Sequence, residues 1–493
     1  MPIEILGPDN AEGVEKLLQQ VIKDGIDFKL QDNVAQKTLK PGEGKAFIEP
    51  FPEGGVPVEQ LIKEFKERFL PYCTNFSSPQ FMGFPDAGNS VAALAGGIAE
   101  LMTNQNLINQ SFCSPVGTFA EISVLQWLRE TVGYEVSSEI KDIWDVGGII
   151  TPGGTGSNAT GILLAREHKF PNAMEKGVTD LDKSYIVVPK GIGHYSVKSA
   201  QMWAGLGNRL IEVGTKDFKY DLDELDGVLR ERADDIMCLV AYCGDSRTMT
   251  VDNFNALADR AKTASEEIWL HADACHGFSL GFSPKLKGKI KGIERFDSIT
   301  MDPHKVMTTP YVVSALLVRE PSALKTVTSL SDLIMQEPFA FGQVTPFLGS
   351  RPWNSLKLWF MMKNAGREGL AAMVEHRHDM AIYLAETLKR NNRFVVINDV
   401  DINSVAFLYK GDMDSDNING INQLNKRLHD MILAEGKFHL HQFSVPDSGK
   451  VKKDEIIYPL RFMTGNLRIT TDLIDEMVEY VASLAKRIED GSI

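Results

Sequence analysis

Between Val146 and Val318, short apolar runs alternate with segments of helical spacing, and this alternation restricts the chain more than any other feature. The pattern predicts strands at Val146 to Ile150, Tyr185 to Val188, Arg209 to Val213, Met237 to Tyr242, Ile268 to Ala272, Asp297 to Met301 and Val312 to Val318. Between them it predicts helices at Gly156 to Lys169, Tyr195 to Ala204, Asp221 to Ala233 and Asp252 to Ala264. Strands joined through helices pair in parallel, and a parallel sheet is covered on both faces. The expected fold class is α/β with a mostly parallel sheet, binding its ligand beyond the carboxyl ends of the strands.

The flanks divide the chain further. Residues 1–75 read as an N-terminal arm, 76–370 as the large domain and 371–493 as a smaller α+β domain. Val91 to Tyr134 and Trp353 to Asn391 have helical patterns, whereas 329–350 is a long segment of weak pattern. Loops of that length in a compact domain are often active-site lids.

Composition narrows the functional class. A net charge of −14 argues against a nucleic-acid binder and against adhesion to anionic membranes. Local charge in a pocket can still suit an acidic substrate. The five cysteines lack framework spacing, which predicts a reducing, cytoplasmic location. Met1-Pro2-Ile3-Glu4 does not begin a leader pattern, and no apolar run is long enough for a membrane-spanning helix.

Five segments offer chemistry. Thr151-Pro152-Gly153-Gly154-Thr155-Gly156-Ser157-Asn158 follows a strand and opens a helix. It reads equally as a phosphate cradle or a tight turn. Gly193-His194-Tyr195-Ser196 starts another helix, with His194 able to stack on an aromatic cofactor, to shuttle a proton or simply to cap. Gly244-Asp245-Ser246-Arg247-Thr248 presents hydroxyls at a strand end, or is a polar turn with Asp252 capping the next helix. His271-Ala272-Asp273-Ala274-Cys275-His276 fits no strong zinc pattern, and a strand-end Asp273 calls for a cationic partner. Asp302-Pro303-His304-Lys305 supplies an amine. An amine and a strand-end carboxylate together suggest pyridoxal phosphate, which needs a lysine for its Schiff base and a carboxylate at its ring nitrogen.

In this order, TPGGTGSNATGILLAR, GHYSVKSA, HADACHGF, DPHK and GSRPWNSLKLW resemble the pyridoxal-phosphate-dependent group II amino-acid decarboxylases, a family that includes glutamate, aspartate and aromatic amino-acid decarboxylases. The resemblance runs from about Asn75 to Ile474. It implies a type I aminotransferase-like fold, a homodimer with the active site at its interface, and release of carbon dioxide from an acidic or aromatic L-amino acid. It implies that Lys305 bonds the cofactor, Asp273 pairs with its ring nitrogen and His194 stacks on the ring. Gly154, Thr155 and His304 would contact the phosphate, and Ser246 the ring or phosphate end. Arg461 would hold the substrate carboxylate, and Phe84 would lie in the side-chain pocket. Many members carry a lid tyrosine that protonates Cα, but 329–350 contains none. Counting back from Gly349 puts Phe341 near that position, and phenylalanine there accompanies aldehyde-forming activity in the aromatic branch. An aldehyde synthase, or another carbon–carbon lyase using this cofactor, is therefore the alternative expectation. The retained Lys305, Asp273 and His194 argue against a non-catalytic protein.

Overall fold

A computed structural model describes residues 4–40, 42–328 and 338–491. Its large sheet has seven strands: β1 Gly148–Thr151, β2 Tyr185–Pro189, β3 Leu210–Val213, β4 Ile236–Tyr242, β5 Trp269–Asp273, β6 Ser298–Met301 and β7 Ser314–Val318. They lie in the order β1-β7-β6-β5-β4-β2-β3. Strands β3, β2, β4, β5 and β6 pair in parallel, as the alternation predicts. Strand β7 runs antiparallel to both β1 and β6. The connection from Met301 to Ser314 holds only the four-residue helix Pro303–Val306, too little chain for a parallel crossover, so the strand returns alongside β6. Every residue of β4 and β5 is buried, because helices cover both faces.

Three local departures from the sequence pattern have simple causes. Val91 to Tyr134 is two helices, Val91–Thr103 and Gly117–Thr131, and Asn104 ends the first in a left-handed conformation (φ 45°). The Ser355–Lys389 helix is interrupted at Gly366, whose φ of 60° and ψ of −175° are not helical. The helix after β4 is capped by Asn253, which accepts the Ala256 N–H at 3.1 Å, and not by Asp252. The Asp252 carboxylate faces inward, accepts the Tyr242 N–H at 2.8 Å, and is pushed up to about 7 by burial.

A second sheet packs the C-terminal region: β8 Phe394–Val396, β9 Ser404–Tyr409, β10 His441–Gln442 and β11 Leu460–Met463, in the order β8-β9-β11-β10. Its core includes Phe407, Phe462, Leu428 and Val481, and also Met82 from far upstream. Met82 is held by backbone bonds to His439 (2.9 Å) and Met463 (2.6 Å). This anchors the segment that carries Phe84 and Asp86 beside the large sheet's strand ends.

Glu121, on the Gly117–Thr131 helix, is fully buried, forms an ion pair with buried Arg351, and accepts the Ser355 hydroxyl at 2.8 Å. The pair fastens that helix to the start of Ser355–Lys389. Glu121→Ala leaves the Arg351 charge buried without its partner, and a stability loss of about 3–5 kcal/mol is expected. Urea denaturation measures it; a loss below about 1 kcal/mol would contradict the account.

Candidate active site

The carboxyl ends of β4, β5 and β6 open onto one cavity of about 420 Å³. Lys305, Asp273, His194, Gly154, Thr155, Ser246, His304, Arg461 and Phe84 all line it, although they come from seven separated stretches of chain. The same cavity gathers residues that sequence reasoning did not assign to the site: Asn158, Ser196, Tyr242, His276, Asp302 and Tyr311.

Lys305 lies in the first turn after β6, and its Nζ pairs with Asp302 Oδ2 at 2.9 Å. Burial disfavours the ammonium, but the Cys275 sulfur and the Asp302 carboxylate outweigh it and hold Lys305 above the ordinary lysine range. Burial also pushes the Cys275 thiol well up, which keeps it neutral, so Asp302 is the partner that carries the charge. Against its own burial, Asp302 is drawn down to about 2 by Lys305 and His304. It is also hydrogen-bonded by the Ser314 hydroxyl of β7. His304 Nδ1 lies 2.7 Å from the Val313 carbonyl, and its ring meets Tyr311 at 4.6 Å. The Tyr311 hydroxyl donates to Asp86.

Asp273, the last residue of β5, is 4% exposed. Its Oδ2 accepts from Asn158 Nδ2 at 2.9 Å and its Oδ1 from the Cys275 N–H at 3.3 Å. His194 caps the Tyr195–Trp203 helix, as one reading of the sequence allows, with Nδ1 2.6 Å from Ser196 Oγ. Burial lowers its pKa below the ordinary imidazole value. The capping role and a place in the cavity therefore coexist.

The chain fits pyridoxal phosphate. Lys305 offers the amine and Asp273 the carboxylate in one cavity, and His194, upstream of both in sequence, lines it with them. The Gly154–Lys169 helix points its first-turn N–H groups at the cavity, a suitable anion site. Gly153 precedes it with φ 105°. A Cβ on Gly154 would meet the Asp302 carboxylate at 2.6 Å and Cys275 Sγ at 2.9 Å, so only glycine leaves the turn open.

Arg461 projects from β11. Its guanidinium donates to the Gly83 carbonyl (3.3 and 3.2 Å) and the Ser246 carbonyl (2.6 Å), and lies 5.3 Å over the Phe84 ring. Burial lowers it to about 10. The Gly244–Thr250 turn is tied by Asp245, which accepts from Arg247 N (2.7 Å), Thr248 N (2.8 Å) and Thr250 N (2.9 Å).

Phe341 does not join the cavity. It is fully buried in the main core, with the Arg351 guanidinium 4.7 Å over its ring. Phe339 packs edge-on against Phe119 at 5.2 Å. Residues 338–350 of the expected lid are thus tied to the body, while 329–337 lie outside the described residues. His271 faces Asn158 and Ser298, and among the described residues no group of three or more His, Cys, Asp or Glu is arranged to hold a metal.

The model of the pyridoxal-dependent decarboxylase conserved domain matches residues 41–410. The chain is 25% identical over 451 residues to the aromatic-L-amino-acid decarboxylase of Bacillus atrophaeus, covering 89% of this chain and 88% of that one. It is 27% identical over 415 residues to the cysteine sulfinic acid decarboxylase of Homo sapiens, covering 80% and 81%. The crystal structure of mouse CSAD in apo form matches with a TM-score of 0.85 at 24% identity, covering 96% of this chain and 99% of that one. Oryza sativa TDC with PLP and tryptamine matches with a TM-score of 0.85 at 21% identity, covering 98% and 100%. These structural likenesses show the type I fold.

The ion pair gives a pH signature. Asp302 titrates at about 2 in the folded chain against an ordinary 3.8. Its contribution to stability is therefore complete above about pH 4 and disappears as pH falls toward 2. Asp302→Asn is expected to lower the melting temperature by several degrees at pH 7 and by progressively less below pH 4. A deficit that stays constant down to the acid limit, followed by calorimetry, would refute the pairing.

Proposed function

Because the chain belongs to the pyridoxal-dependent decarboxylase family, we propose that this cavity decarboxylates an aromatic L-amino acid to its amine, with the residues named above in distinct roles. The protein is an amino-acid decarboxylase that uses pyridoxal phosphate, a carboxy-lyase. When bound, the cofactor supplies the electron sink into which the Cα–carboxylate bonding pair moves.

The single observation that carries the site assignment is the convergence of Lys305, Asp273 and His194 on one cavity. Lys305 would hold the cofactor's aldehyde carbon, and Asp302, 2.9 Å from its Nζ, would stabilise the ammonium form of the free side chain. Asp273 would keep a proton on the ring nitrogen. The N–H groups of Gly154 and Thr155 would receive the phosphate, with His304 and Ser246 also toward it, and His194 would lie against the ring. Arg461 would hold the substrate α-carboxylate and so orient the bond to be broken. Its three donations to backbone carbonyls fix the guanidinium before substrate arrives.

The side-chain preference rests on Phe84, Tyr311 and Asp86. Two aromatic rings and a carboxylate line the end of the cavity, and the carboxylate already accepts the Tyr311 hydroxyl. An acidic side chain would meet like charge there, whereas an aromatic one finds ring faces and a hydrogen-bond acceptor. Phe341, the basis of the aldehyde-forming alternative, is buried in the core, so amine and carbon dioxide are the proposed products.

We also propose a cytoplasmic homodimer. The Ala11–Lys29 helix exposes Leu18, Val21, Ile22 and Ile26 along one face, and Val91–Thr103 exposes Val91, Leu101 and Met102. Apolar surface of this kind suits a second copy of the chain. No helix among the described residues is long and apolar enough to cross a membrane.

Carbon dioxide release screened over the twenty amino acids, diaminobutyrate and cysteine sulfinate is expected to favour tyrosine, tryptophan or phenylalanine. A preference for glutamate, aspartate or cysteine sulfinate would overturn the side-chain reading. Lys305→Ala is expected to abolish turnover and covalent cofactor attachment, and product analysis is expected to find amine without hydrogen peroxide. Sedimentation is expected to report a dimer.

A further inference from the structure

Behind the cavity lies a hydrogen-bond chain whose direction follows from one charge. An ionised Asp273 accepts only, so the Asn158 amide must turn its NH₂ toward Asp273 Oδ2 (2.9 Å) and its oxygen away. That oxygen lies 3.0 Å from His271 Nε2, which must therefore carry a proton. His271 Nδ1 is then an acceptor and takes the Ser298 hydroxyl at 2.7 Å. Ser298 Oγ in turn accepts the Trp269 indole N–H at 2.8 Å. Fully buried His271 is neutral at physiological pH, because burial lowers it to about 4.

The second arm starts from the same amide. Asn158 Nδ2 spends its other hydrogen on Ser196 Oγ at 2.7 Å. The Ser196 hydroxyl hydrogen is then left for His194 Nδ1, 2.6 Å away, and the Ser196 backbone N–H also points at Nδ1 at 3.3 Å. With two donors aimed at it, Nδ1 is unprotonated, and the neutral ring carries its hydrogen on Nε2.

Two packing details show that the chain is built in. A Cβ on Gly161 would lie 2.5 Å from His271 Cε1 and 2.7 Å from Nδ1, so a glycine in the middle of the helix admits the imidazole. Asn158, Ser196, His271 and Ser298 are each at most 1% exposed.

From this geometry we propose that Asn158 and Ser196 are positioning residues that couple Asp273 to His194, fixing the rotamer of the carboxylate and the tautomer of the imidazole through one amide. His194 consequently meets cofactor and substrate as a hydrogen-bond donor through Nε2, not as a base. This rests on the site reading above for what Asp273 and His194 contact, but the coupling itself belongs to the chain alone.

The test uses the full-length protein labelled with ¹⁵N-histidine, with and without pyridoxal phosphate, and His194→Gln to assign the His194 signals. The wild type is expected to show His194 in the Nε2–H form in both states. Ser196→Ala is expected to give a mixture of tautomers, and Ser196→Thr, which keeps the hydroxyl, to restore the wild-type form. Asn158→Ala is expected to weaken cofactor binding about 10-fold or more, the loss of one charge-assisted hydrogen bond. A wild-type Nδ1–H form, or a Ser196→Ala spectrum unchanged at His194, overturns the coupling. Failure of the wild type to bind pyridoxal phosphate would sink the site reading instead, and the tautomer measurement on the unloaded chain still decides the coupling. Thermal melts separate these outcomes from loss of folding, since the Ser196→Thr variant controls for packing at that position.

Discussion

A carboxylate buried at the end of a β-strand has to be partnered, and much of this molecule is arranged around the way Asp273 is. The residue is 4% exposed, and its oxygens are met by an amide and a backbone N–H, without, among the described residues, an ion pair to an arginine or lysine. Such partners hold a charge in place without neutralising it. A buried anion kept uncompensated in this way favours a cation or a protonated ring nitrogen beside it. Lys305, which shares the cavity, is spoken for by Asp302. The two carboxylates are thus held differently, Asp302 in an ion pair with an ammonium and Asp273 by neutral hydrogen-bond donors.

How much of this could be read from sequence depends on the range of the interaction. Strand and helix order was legible because it is local: apolar runs such as Ile236–Tyr242 are buried on every residue and read as unbroken apolar stretches. The site residues that sit in motifs at strand and helix ends, Gly154, His194, Asp273 and Lys305, were legible for the same reason. Asn158 and Ser196 stood inside quoted motifs but carried no visible role, since an amide or a hydroxyl has meaning only once its partners, 115 and 38 positions away, are known. Asp252 was misjudged because an acidic residue before a helix is a good cap by pattern, and the next residue took that place. Phe341 was placed by counting along a loop without periodicity, where spacing carries no geometric information; the ring went to the core beneath Arg351.

The small C-terminal sheet contributes more than a lid over the large one. It delivers Arg461 from β11, and through Met82 it holds the segment that ends in Phe84 and Asp86. Arg461, Phe84 and Asp86 therefore hang from the small core, and Lys305, Asp273 and His194 from the large one. A shift between the two cores would change the distance between these two sets without disturbing either internally.

Strand β7 carries a consequence for how the chain assembles. Strand β1 has a single neighbour in the sheet, and that neighbour is β7, with Gly148 opposite Leu317 and Thr151 opposite Ser314. On a ribosome, β1 and the glycine turn behind it emerge long before β7 exists. Until then the apolar run Gly148–Thr151 has no strand in this sheet to join, and the loop that its docking closes spans most of the large domain. Once β7 arrives it fills the gap between β1 and β6 and brings Ser314 to Asp302 in the same movement. The glycine turn and the lysine turn are thereby completed together, by the last strand of the sheet to be synthesised.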